Sequence, residues 1–498
     1  MTIPKIVARP VLASGPVSTG AEIAAAVNAI IDAYHAFQDV GWSILDSFEV
    51  GATVNLRNEL LRWGATGGLY RWDGPLPKAV ASGGTPASRG GVGSGGWLMV
   101  DLNGESIANQ IFGKATLDLD FTKNIHKVYE PFGLTNKVLT DAVTTVRDST
   151  ATYDTPTSIS TAAVNIPRIE YDGATGNALG LLAEDQRTNL FLHSEDFANA
   201  AWLQSPNADV NVTSDVIVGP NNGMTGDKFF EATTANTFRD LYQNISYTAG
   251  VTYCFSIYVK AGERTKAAFF FGATGAFTTE RRVTVDFVSK TVTVGGLGAT
   301  GGIQEQPNGW FRVWICGTAD VTGVTPTIIR LLDNAGTTIY PGVVNSGFFI
   351  YGAQVEVGSF PTSYIPTAAA QNTRVADVIS RALTVKNANA GSIFIEFNFT
   401  DYNKIGNTTI VSLNGSPQTS ERGFALTVEN NLVQAMIRNA SGARSASIGV
   451  VNSLQPMKVL VSFDNIALKI IIAVNGVASE QLNPSAVDIS AFVSHLYI

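Results

Sequence analysis

From about residue 186 onward the chain is written in a two-residue period. Runs such as ISYTAGVTYCFSIYVKAG, RRVTVDFVSKTVTVGG, NGWFRVWICGTADVTG and SGFFIYGAQVEVG place β-branched and aromatic residues at alternating or consecutive positions, with Gly, Asn, Pro or Lys between them. Successive side chains of a strand point to opposite faces, so this spacing suits strands. An amphipathic helix needs apolar residues every three to four positions. Short strands at regular spacing, separated by turn signals, predict antiparallel sandwiches. A connector occupies 369–391, and a second series begins at Ser392: SIFIEFNFT, TTIVSLNG, GFALTVENNLVQAMIRNA and MKVLVSFDNIALKIIIAVNG. Asn-Gly at 414–415 and 475–476 reads as hairpin turns. The final residues, SHLYI, lie within a strand pattern. The expectation is that the natural polypeptide continues, or that a last strand closes the sheet at an edge.

Composition narrows the function. The 498 residues are 45% hydrophobic and 15% charged, below the usual charged fraction of about 25%. The net charge is −8, with no dense run of Lys or Arg, so the basic footprint of a nucleic-acid binder is missing. No apolar run approaches the roughly 20 residues of a membrane-spanning helix, so no membrane insertion is expected. Pro4 and Pro10 interrupt the N-terminus before a signal peptide could form, which suits folding in a cytoplasm. Cys254 and Cys316 lie in apolar strand-like runs and are expected to be buried free thiols. A bridge stays open if their strands are neighbours.

The N-terminal part reads differently. In residues 19–38, Thr19 and Glu22 form a capping box, and Ile23, Val27, Ile30, Tyr34 and Phe37 follow at heptad spacing. This predicts a helix able to pair with identical chains as a short coiled coil. Residues 61–110 carry Trp63, Tyr70, Trp72 and Trp97 among Gly, Pro and Ser, a small β domain whose core the aromatics would supply. Gly91, Gly93 and Gly96 fit G-x-G-x-x-G, but the upstream residues are a loop containing Pro86 and the downstream WLMV favours a strand. With no helix to face a pyrophosphate, no nucleotide is expected, and the glycines serve tight turns.

Catalytic and metal signatures are missing. His35, His126, His193 and His495 are scattered, and nothing singles out a pair among 41 carboxylates. No catalytic residue, cofactor or metal is assigned, and the chain is read as non-enzymatic. Trp310 and Trp314 share one strand face with Arg312 between them; that face is expected to be the sandwich core. Tyr364 is read as a packing anchor.

Three segments together resemble bacteriophage tail proteins. Residues 61–100 are similar to the N-terminal virion-anchoring module of tailspikes and tail fibres, through Leu61-Arg62, Tyr-Arg-Trp-Asp-Gly at 70–74, Leu-Pro-Lys at 76–78, Thr-Pro at 85–86 and Gly-Gly-Val-Gly-Ser-Gly-Gly-Trp at 90–97. Residues 146–202 resemble a segment of phage and prophage tail proteins, through Ser149 to Tyr153, Asn165 to Arg168, Gly180 to Leu182, Gln186 to Leu190 and Ser194 to Phe197. Ala183 departs from the common Ile. NGWFRV, YGAQVEVGSFPTSYIPT and TRVAD, within 308–377, resemble the close of a carbohydrate-binding jelly roll. The terminal strands look like a concanavalin or laminin-G sandwich.

The resemblance implies an elongated, mainly β protein. Its expected parts are an arm and helix at 1–60, a β anchor at 61–110, a linker with short strands at 111–185, a jelly roll at 186–368, the connector, and a sandwich at 392–498. It implies a homotrimer in the virion tail, docked on other tail or portal-proximal proteins and adhering to host cell-surface polysaccharide. Trp63, Tyr70, Trp72 and Trp97, with the heptad residues, are the anchor and assembly candidates. A structural collar or proximal fibre protein is the alternative, and a capsule depolymerase the third. A tailspike depolymerase usually carries a long parallel β-helix, and no rung-like period is found between 200 and 498.

Overall fold

In the computed structural model the two-residue period becomes strands almost throughout, as expected for a mainly β chain. The structure describes residues 43–56, 59–63, 69–92, 95–100, 117–130, 133–206 and 208–382. It also describes the strands Lys5–Arg9, Ala390–Phe397, Thr408–Asn414, Gly423–Glu429, Leu432–Asn439, Gly442–Gly449, Met457–Asp464, Lys469–Val474, Val477–Leu482 and His495–Tyr497. The helix expected at 19–38, with Ile23, Val27, Ile30, Tyr34 and Phe37, lies outside the described residues.

The central unit is two six-stranded antiparallel sheets around one core. The first sheet runs in the order Leu203–Ser205, Asp240–Tyr247, Gly323–Leu331, Lys266–Phe271, Arg281–Asp286, Thr291–Gly295. The second runs Val210–Val218, Met224–Glu231, Gly347–Val357, Thr252–Lys260, Trp310–Thr318, Thr300–Gln306. Alternate residues of each strand point inward: Leu241 and Ile245, Phe269 and Phe271, Phe255 and Ile257, Val313 and Ile315 share the core. Burying large rings at fixed alternation sets the register, because a one-residue slip would turn every ring to solvent.

Two expectations for this unit are overturned. Phe311, Val313 and Ile315 face the core, so Trp310, Arg312 and Trp314 point to the outer face of the second sheet. The spacing showed that the three share a face but carried nothing about which face is covered. Cys254 stands directly opposite Cys316 on neighbouring strands, and the two form a disulfide instead of remaining free thiols.

Residues 151–182 form two short hairpins, Ala151–Asp154 with Ile159–Ala162 and Arg168–Tyr171 with Ala178–Leu182. They cover part of the second sheet's outer face. Ile159 packs with Tyr258, Trp310, Tyr351 and Tyr364, and the Thr152 hydroxyl donates to the Tyr364 carbonyl at 2.5 Å. Tyr364 is buried there, as expected of a packing anchor.

The strands from 390 onward build two further sheets. One orders Gly133–Asn136, Ile125–Glu130, Leu117–Asp120, Lys5–Arg9, Ala390–Phe397, Met457–Asp464, Lys469–Val474 and Val477–Leu482. The other orders Thr144–Val146, Val378–Ala382, His495–Tyr497, Thr408–Asn414, Gly423–Glu429, Leu432–Asn439 and Gly442–Gly449. The strand at 495–497 thus lies inside its sheet, paired on both sides. Among the described residues no helix is long and apolar enough to cross a membrane.

Candidate functional site

The N-terminal aromatic candidates converge. Ser43–Ser47, Glu59–Arg62, Leu69–Trp72 and Trp97–Val100 form a four-stranded sheet, and Ala52–Val54 pairs with Lys78–Val80. Tyr70, Trp72 and Trp97 are buried in one cluster with Phe48, Val54, Leu61 and Val80, and Trp63 is half-buried against it. Trp97 contacts Phe48 edge-on at 4.7 Å and Trp72 at 5.2 Å. Both buried indoles have their N–H satisfied, Trp72 by the Pro75 carbonyl at 2.8 Å and Trp97 by the Arg89 carbonyl at 3.2 Å. Such partners allow an indole to be buried without leaving its donor bare. Tyr70, Trp72 and Trp97 are therefore part of the domain's core, with Trp63 packed against its edge. Phe48, which the sequence reading did not single out, sits at their centre.

The glycine run is shaped by these rings. A Cβ on Gly90 would stand 2.4 Å from the Trp72 ring, and one on Gly74 would stand 2.5 Å from it. Gly90 also holds a φ of +142°, a conformation side chains rarely adopt. The loop ends on the strand Trp97–Val100, as its sequence favoured, with the Trp97 amide donating to the Gly91 carbonyl at 2.8 Å.

A second cluster joins residues 146–185 to the sandwich. The Asp377 side chain, 1% exposed, accepts from Arg147 at 2.6 Å and from Arg168 at 2.5 Å. Glu184 accepts from Arg168 and Arg374, each at 3.0 Å, and from the Ser363 hydroxyl at 2.6 Å. Burial would push the Glu184 carboxyl up, but Arg374, Arg168 and the Ser363 donors outweigh it and hold it well below the usual carboxylate range. Arg168, Arg374 and Asp377 lie in stretches that carry the resemblance to tail proteins, but no local pattern gives any of them a role. Their meaning depends on partners about 200 positions away.

Beside this cluster stands a carboxyl pair. The Asp154 amide donates to Glu170 Oε2 at 3.1 Å, and Gln306 Nε2 donates to Asp154 Oδ2 at 3.0 Å. Burial, then the charge of Asp154, pushes Glu170 up to about 8, and burial also raises Asp154. Glu170 itself remains half-buried, within reach of water. A carboxyl that keeps its proton near neutral pH can act as a general acid. Among the described residues no group of three or more His, Cys, Asp and Glu is placed to hold a metal ion.

Residues 36–102 match the family model described as the tail spike TSP1/Gp66 receptor binding N-terminal domain. A depolymerase of Klebsiella phage P510, named as specific for capsule KL64, is 42% identical over 62 residues. That match takes in 12% of this chain and 6% of the relative, so the chain spans a small part of that protein's length. Tailspike protein 3 of bacteriophage CBA120 is 35% identical over 22% of this chain and 18% of its own, at a TM-score of 0.13. The enzymatically active domain of CBA120 tailspike protein 4 is 10% identical at a TM-score of 0.22, covering 70% of this chain and 94% of its own. The depolymerase match corrects the expectation of a non-enzymatic chain, since a sequence relative carries the name of a polysaccharide-degrading enzyme. Missing motifs were weak grounds for that exclusion, because a carboxylate pair is defined by geometry and not by spacing. The weight falls on the N-terminal sequence: it is through residues 36–102 that this chain is similar to the bacteriophage tailspike proteins.

Proposed function

We propose that this chain attaches to the phage tail through residues 36–102 and engages host cell-surface polysaccharide through its β-sandwich. The observation that carries this reading is the tail spike N-terminal match, which spans a closed aromatic core suited to a rigid docking module. The sandwich supports the second half by its resemblance to carbohydrate-binding jelly rolls. The heptad from Ile23 to Phe37 supports assembly as a homotrimer, where linked copies of a weak site gain avidity. Immunogold electron microscopy with antibody to the full chain tests the docking. Label on the tail is expected, and label on the capsid alone would overturn it.

A second reading, polysaccharide cleavage, is favoured by one specific pair. Glu170 is half-buried beside Asp154 and raised to about 8, and the Klebsiella phage relative is named as a capsule depolymerase. In this reading Glu170 donates a proton to a glycosidic oxygen and Asp154 is the second carboxyl. Incubating capsular polysaccharide with the full chain should lower its size in gel filtration, and Glu170→Gln should slow the change at least tenfold. An unchanged rate in the variant would remove Glu170 from the chemistry.

A further inference from the structure

Trp314 is an outward-facing aromatic that the fold leaves half-buried. Its strand neighbour Trp310 is fully buried beneath the 151–182 hairpins, whereas Trp314 is half-buried. The register places Trp314 opposite Ser256 on one side and opposite Gly302 on the other. Gly302 belongs to Thr300–Gln306, the edge strand of the second sheet.

The indole is laid face-down on Gly302. From the point a Cβ would occupy, ring atoms Cζ2, Cη2 and Cε2 stand 2.3, 2.6 and 2.9 Å away. An edge-on ring would hold one atom close and its neighbours much farther off. Near-equal distances mean that the point lies over the ring face. One face of the indole is therefore spent on the glycine and the opposite face is turned away from the sheet. The Trp314 indole N–H donates to no described residue.

The surroundings indicate what the free face takes. Gln304, two residues along the edge strand from Gly302, shares the outward face, because Ile303 between them packs on the core. Its carboxamide makes no hydrogen bond to any described residue. Thr300 is exposed on the same face. Arg312, opposite Gln304, is committed to the protein, with Nη2 donating to the Ser256 hydroxyl at 3.1 Å and to the Thr362 carbonyl at 2.6 Å. The patch thus offers one flat apolar ring, one indole N–H, one carboxamide and no spare charge. A protein partner would require a wider apolar centre. A neutral pyranose fits: it has an apolar C–H face for stacking and a rim of hydroxyls for the amide.

We propose that Trp314, seated on Gly302 and flanked by Gln304, is a subsite that stacks one neutral pyranose of a bacterial surface polysaccharide. It rests on the reading that the sandwich engages host polysaccharide. Gly302 is the positioning residue, since any side chain there lifts the ring from the sheet.

The test is an array of bacterial capsular and O-chain polysaccharides probed with the full chain. The best-bound polysaccharide is then titrated against the wild type, Trp314→Ala, Gly302→Val and Gln304→Ala. Losses of about tenfold or more are expected for Trp314→Ala and Gly302→Val, the latter with every tryptophan still present. Gln304→Ala should lose a smaller factor with an unchanged melting temperature, so it keeps the test valid if Gly302→Val unfolds. Wild-type binding with undiminished affinity in Trp314→Ala and Gln304→Ala overturns the subsite and leaves polysaccharide engagement standing. Wild-type binding to nothing on the array overturns that underlying reading, and the subsite with it.

Discussion

The small domain at 43–100 and the joint between residues 146–185 and the sandwich are both buried, but opposite forces hold them. In the first, Phe48, Tyr70, Trp72 and Trp97 interlock, and buried indole N–H groups are met by backbone carbonyls. In the second, Arg147, Arg168 and Arg374 are paired with Asp377 and Glu184 at 2.5–3.0 Å. Apolar burial is non-directional and degrades gradually as atoms are removed. A buried ion network is directional: complete, it fixes one arrangement, and with one member missing it strands charge out of water. The first design suits a compact module. The second suits a joint whose angle must be specified.

Breaking the network should cost most. Asp377→Ala takes the carboxylate partner from Arg147 and one of two from Arg168, which keeps Glu184, and the loss is expected at about 3–5 kcal/mol. Hydrogen exchange should rise across 146–185 and stay unchanged across 43–100. Equal protection of 146–185 in variant and wild type would mean that apolar packing around Ile159 holds the joint. Trp97→Ala should cost about 4 kcal/mol through the cavity left beside Phe48. Exchange should then rise in 43–100 alone, to the same extent at low and high salt. A salt-dependent effect would show a charge contribution that the aromatic core does not contain.

The smallest effect sharpens the contrast through pH. Glu170 holds its proton more tightly when folded, with its carboxyl raised to about 8. Its contribution is complete below the pKa of the unfolded carboxyl and is lost as pH rises through about 8. The melting temperature of the sandwich should fall by about 2–4 °C between pH 6 and 9. Glu170→Gln should flatten most of that fall, leaving the part owed to Asp154. Identical slopes in variant and wild type would show that the pair does not titrate in this range.

Much of the architecture was legible in the strand period. The succession of strands, the alternation of two faces along them and the aromatic composition of the N-terminal domain follow from local pattern. The arginine network was not legible. Asp377 reaches Arg147 across 230 positions and Arg168 across 209. Nothing near TRVAD or NIPR in the sequence points to such a partner. The same holds for Glu170, whose raised carboxyl arises from burial and from Asp154 on the neighbouring hairpin.

The chain's own letters determined that it folds as strands, that its glycines turn beside tryptophans, and that Trp310, Arg312 and Trp314 share a face. Only the tertiary structure decided which face that is. Period two distinguishes the two sides of a strand but says nothing of what covers each. Stacking of the second sheet on the first sent Phe311 inward, and Ile159 of the 151–182 hairpins then packed on Trp310, which is fully buried while Trp314 is half-buried. The same pairing of strands brought Cys254 opposite Cys316 and made a disulfide of two expected thiols.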